Sequence, residues 1–91
     1  MTKRSPEHER IIRERDHVAM MKTPDLWGCW PFLPLKRRRA DHHLPDTAVL
    51  AEFSDAPRTR VYLCNMWAFN PAVFKDYESA EAIVADGWEV D

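Results

Sequence analysis

Asp41-His42-His43 is the stretch of this chain best suited to holding a metal, with Cys29 and Cys64 as softer ligands elsewhere. A zinc site usually shows paired ligands roughly two to four residues apart. Here the cysteines are isolated and no second pair follows the histidines, so the stretch reads as a solvated loop with no metal. His8 and His17 lie too far apart on one predicted helix to share an ion across a turn, and both read as surface residues. A Cys–His nucleophile fares no better. Cys64 falls in an apolar run, where a thiolate is disfavoured, and both cysteines read as free thiols behaving as small hydrophobes. The acidic residues fall on predicted loops and helix surfaces and form no catalytic pair. Only two glycines, Gly28 and Gly87, are present, which removes glycine-rich phosphate loops. The chain therefore reads as non-enzymatic, with no cofactor.

Binding is a better match to the residues. Between Asp25 and Lys36 the sequence packs Trp27, Trp30, Pro31, Phe32 and Pro34 into a nearly uncharged stretch. Large rigid aromatics contribute much contact area for little lost entropy, and prolines hold the backbone extended without ladder donors. Trp27, Trp30 and Phe32 are expected to be exposed apolar anchors, as aromatic hot spots are. The alternative is that all four tryptophans, Trp67 and Trp88 included, are core. Lys36, Arg37, Arg38 and Arg39 follow as a basic rim. They would steer an acidic protein partner or, in a second reading, sit on phosphates with the aromatics as stacking platforms.

Charge is unevenly divided. Residues 1–45 carry ten Lys/Arg against six Asp/Glu, and residues 46–91 carry three against nine, within an overall balance of −2. Such asymmetry bears on partners and steering rather than on fold. With 91 residues, 45% of them hydrophobic and 31% charged, the chain is expected to fold as a single domain, residues 1–91, with 1–4 frayed. No apolar run approaches the roughly 20 residues that span a bilayer, and the N-terminus carries no secretory h-region. A cytoplasmic protein without a membrane contact is expected.

The elements that must position these residues follow from local signals. Ser5-Pro6 predicts a helix start, and the helix continues to about Lys22, with Ile11, Val18 and Met21 on one face. Thr23-Pro24-Asp25 stops it and begins a single turn. Phe32 to Arg37 reads as an edge strand because Pro34 cannot donate. A polar loop, 38–46, leads to a hairpin of 47–53 and 59–67, in which Glu52 faces Arg60, Leu50 faces Tyr62 and Val49 faces Leu63. The second hairpin strand is then apolar on both faces and needs two covers. One is a short helix capped by Ser79 and stopped at Asp86-Gly87; the other is the first helix, the 27–35 segment or a partner. Trp88 to Asp91 adds a last strand, with Trp88 in the core lined by Val49 and Leu63. The fold class is α+β, ordered α-β-β-β-α-β, with a small antiparallel sheet of three to four strands. An edge strand offers a route to a homodimer.

Met21 to Trp27, Trp30 to Arg37 and the ending from Tyr77-Glu78-Ser79 through Gly87 to Asp91 resemble small uncharacterised proteins of phages and actinobacteria. The resemblance spans most of the chain and brings no catalytic residue with it. It implies an accessory factor or inhibitor that binds a larger host protein. The resulting expectation is a small binding protein acting on a larger protein, with a nucleic-acid-binding module as the alternative.

Overall fold

The computed structural model describes residues 6–38 and 44–91. Ser5, the residues expected to fray, Arg39, Asp41, His42 and His43 lie outside the described residues, as does the side chain of His8. Helix α1 runs Pro6–Met21, uninterrupted by glycine or internal proline. Pro24 disfavours helical backbone at Thr23, and the chain passes into a 3₁₀ turn, Pro24–Leu26. Five strands follow: β1 Phe32–Arg37, β2 Asp46–Ala51, β3 Arg60–Tyr62, β4 Phe74–Asp76 and β5 Glu89–Val90, with α2, Ala80–Ala85, before the last. They form one antiparallel sheet in the order β4-β3-β2-β1-β5. The domain is α+β, as the element pattern predicts, and β4 is a strand that the alternation of residues did not reveal. No helix among the described residues is long and apolar enough to cross a membrane.

Strand β1 is internal and not an edge, because β5 returns to pair with Leu35 and Lys36. Proline is tolerated there for a geometric reason. Glu52 N donates to Pro31 O, so the hydrogen-bonded pairs with β2 fall at Leu33/Leu50 and Leu35/Ala48, and Pro34 opposite Val49 is a non-bonded pair. The missing N–H therefore points away from β2 and towards β5, where Asp91 N donates to Pro34 O.

The β2–β3 register is one residue away from the expected one: Leu50 faces Val61 and Val49 faces Tyr62. A one-residue slip exchanges faces, so Leu50 shares the helix side with Val61 rather than with Tyr62. The expected register relied on a Glu52–Arg60 pair, and each charge has another partner. Arg60 makes a two-pronged contact with Asp76 on β4, at 2.7 and 3.1 Å. Glu52 lies beyond the end of β2 and accepts from Trp30 Nε1.

Both helices cover the same face. Met21, Trp27, Leu33, Leu35, Ala48, Leu50, Val61, Ala80, Ile83, Val84 and Trp88 form that core. Ser79 Oγ accepts from Ala82 N at the start of α2, and Gly87 at φ +96° ends it, a conformation that favours glycine. Trp88 is core as expected, but its neighbours are Leu50 and Val61; Val49 is on the other face and Leu63 is exposed. The strand buried on both faces is β2, whose Ala48 to Ala51 are each 2% exposed or less, while β3 stops at Tyr62.

Residues 63–69 do not continue β3. They turn back over the second face, so that Cys64, Met66 and Phe69, with Phe32 and Phe53, cover Val49, Ala51 and Tyr62. Phe69 packs 4.9 Å from Tyr62 and 5.1 Å from Phe32, centroid to centroid. The second cover is thus a loop of this chain. His17 is half-buried, contrary to the surface expectation: its Nδ1 accepts from Val90 N at 3.1 Å and its Nε2 is buried without a partner. This bond joins α1 to β5.

Candidate functional site

The aromatic-proline segment divides between core and surface. Trp27 is 7% exposed, with Nε1 donating to Met20 O at 2.8 Å. It is a core residue sealing the end of α1, and the expectation of an exposed anchor fails there because the 3₁₀ turn swings the indole back under the helix. Trp30 is 61% exposed. Its backbone N donates to Trp27 O, Phe32 N donates to Cys29 O, and its indole N–H donates to Glu52 Oε2 at 2.9 Å, so the ring is presented to solvent on a fixed turn. Leu26 and Cys29 beside it are also exposed, and Cys29 is therefore not the buried thiol its setting predicts. Phe32 is half-buried against Phe53 and Phe69 and supports the turn from below.

The basic run is largely occupied within the chain. Lys36 Nζ lies 3.6 Å from Asp91. Arg37 reaches Asp46 at 3.3 Å and Asp86 at 3.2 Å, and its guanidinium lies 4.4 Å over the Trp88 ring. Lys36 and Arg37 thus bind the sheet together instead of forming a rim, because β5 and α2 bring acids to them. Arg38 is exposed, and Arg39 lies outside the described residues.

The most exposed tryptophan falls within 59–67, the span expected to form the second hairpin strand. Trp67 is 87% exposed, on a 3₁₀ turn, Met66–Ala68, whose N-cap Asn65 accepts from Ala68 N at 2.8 Å. With Met66 and Asn65 it overhangs Pro34, Thr47 and Val49, enclosing a groove of 560 Å³ on the second face of the sheet. The signal was present: Asn65 is a good cap, and Asn70-Pro71 marks a turn just beyond. The run from Val61 to Trp67, apolar on both faces, points to a strand instead.

Titratable groups concentrate at the α2–β5 corner. The Tyr77 hydroxyl donates to Asp86 Oδ2, which also receives Arg37 at 3.2 Å and lies 3.7 Å from Lys75, while Trp88 Nε1 donates to the Tyr77 oxygen at 3.2 Å. The Tyr77 hydrogen bond, helped by the Lys75 and Arg37 charges, holds the Asp86 carboxyl below its usual range. Burial, and then the Asp86 carboxylate, push the Tyr77 phenol upward. A tyrosine kept protonated and a carboxylate already committed to three donors are poor proton acceptors; the cluster secures the corner. Among the described residues no group of three or more His, Cys, Asp or Glu could hold a metal ion. No family model, curated protein or solved structure matches the chain.

Proposed function

We propose that this chain is a small non-enzymatic binding protein that engages a larger protein through exposed aromatic side chains, Trp67 over its groove and Trp30 on its turn. Its action is steric occupation of the partner, as expected of an accessory factor or inhibitor. The observation that carries the reading is Trp67 at 87% exposed on a capped turn. Tryptophans on preordered backbone dominate binding hot spots, and a side chain so open contributes almost nothing to its own fold. The nucleic-acid alternative draws less support, since Lys36 and Arg37 are engaged by Asp91, Asp46 and Asp86.

Capture from a lysate of the native host with wild type, Trp67→Ala and Arg38→Ala as baits tests the proposal. Loss of a hot-spot tryptophan weakens binding by about 2 kcal/mol, roughly thirtyfold. A protein should be retained by wild type and Arg38→Ala and lost by Trp67→Ala. Equal capture by Trp67→Ala overturns the proposal. Recovery of nucleic acid that washes off steeply with salt and is lost with Arg38→Ala favours the alternative.

A further inference from the structure

A second surface lies on the opposite side of the molecule from Trp67. Ile11 and Ala19 of α1 are exposed there, with half-buried Val18 between them and Val84 and Ala85 of α2 at the floor, and Glu14, Arg15, Lys22 and Glu81 complete a groove of 510 Å³. Ile11 is 47% exposed, although its own helix has a buried face that would have taken it at another position. At one end Lys22 Nζ and Glu81 Oε1 close the groove at 2.6 Å. Between Ile11 and Val18, by contrast, Glu14 and Arg15 are exposed and make no ion pair among the described residues.

We infer that this groove is the interface of a two-fold homodimer, occupied by the same helix of a second copy running antiparallel. The argument is complementarity under the symmetry operation. An isologous interface requires that whatever faces residue i also receives residue i in return. A two-fold axis crossing α1 midway between residues 14 and 15 places Ile11 opposite Val18 of the second copy and Val18 opposite its Ile11. The same axis sets Glu14 opposite Arg15 and Arg15 opposite Glu14, so two unmatched charges per chain are answered by the other chain. A parallel arrangement in register would set Glu14 on Glu14 and Arg15 on Arg15, which is repulsive. The sheet offers no comparable match. Of its two edges, β5 has only two residues, and pairing two copies of β4 about Lys75 would oppose like charges.

Both helices lie on one face of the sheet and the Trp67 groove on the other. A dimer through α1 therefore leaves two Trp67 surfaces facing outward. If Trp67 binds as proposed above, the dimer is bivalent, and avidity adds to whatever one site contributes.

Sedimentation equilibrium of the full chain between roughly 1 and 500 µM reads the association directly, without reference to any partner. Wild type should sediment with twice the chain mass at the upper end. Ile11→Glu should weaken association at least about tenfold. Glu14→Arg alone and Arg15→Glu alone each create two like-charge contacts and should do the same. The double variant Glu14→Arg/Arg15→Glu exchanges the two signs and should recover wild-type association to within about threefold. Both charge positions are exposed, so these variants retain the fold, which their far-ultraviolet spectra will report. A wild type that stays monomeric over this range overturns the inference, as does a dimer indifferent to the single reversals or a double variant that fails to recover.

Discussion

Trp88 is 1% exposed, donates through Nε1 to the Tyr77 hydroxyl and lies under the Arg37 guanidinium. Removing a fully buried indole costs about 3–5 kcal/mol, against a total of roughly 5–10 kcal/mol for a domain of this size. Trp88→Ala should leave the chain largely unfolded near 37 °C, whereas Trp30→Ala and Trp67→Ala should melt close to wild type, within about 1 kcal/mol. Thermal melts of the three variants decide it, and a collapse of Trp67→Ala would mean that its ring packs on the sheet. At this scale the sequence was legible where a tryptophan followed a helix stop and began an alternating strand. Trp27 and Trp67 were misplaced because one turn of backbone decides whether an indole points in or out. That turn is set by contacts with Met20 and by the Asn65 cap, neither of which periodicity reports.

Helix α2 has only six residues, so its ends determine its stability. Gly87 combines φ +96° with a tight approach: an added Cβ would lie 3.3 Å from Arg37 Cγ and Cδ. Gly87→Ala should therefore destabilise the domain by about 1–2 kcal/mol, seen as a lower denaturation midpoint with unchanged slope. Indifference to this substitution would show that the corner relaxes. The stops of both helices and the Ser79 cap of α2 were readable because capping chemistry acts within a few residues. The lengths of β3 and β4 were not, because strand pairing joins residues distant in sequence; Phe74 to Asp76 alone carries no alternation long enough to announce a strand.

Across the whole molecule the two oppositely charged halves of the chain meet. Lys22 pairs with Glu81, Lys36 with Asp91 and Arg37 with Asp86, so part of the asymmetry in the sequence is internal cohesion rather than a field for a partner. Stability should follow the titration of these groups. Asp86, under the Tyr77 hydrogen bond, and Asp76, bonded to Arg60, are held below the usual carboxylate range, as is Glu81 beside Lys22. A carboxyl depressed by folding stabilises the native state while ionised, and that contribution is lost as pH falls below about 4. Tyr77 is raised, so its contribution holds below about pH 10 and is lost above it. Melting temperature should form a plateau that declines at both extremes, and Asp86→Asn should flatten both declines. An unaltered profile in that variant would remove the corner cluster from the account.

The sequence by itself determined the helices, their termini, the span of β1, the hydrophobic composition of the core and the α+β class, because these rest on periods, caps and proline geometry that are local. Only the tertiary structure decided the register of β2 on β3, the internal position of β1 and the loop that covers the second face. It also decided which tryptophans meet solvent and which bases remain unpaired. The physical reason is competition among distant partners. Glu52 was matched with Arg60 by proximity in the chain, yet Trp30 and Asp76 reach those charges first, and each such choice moves the side chains around it to another face.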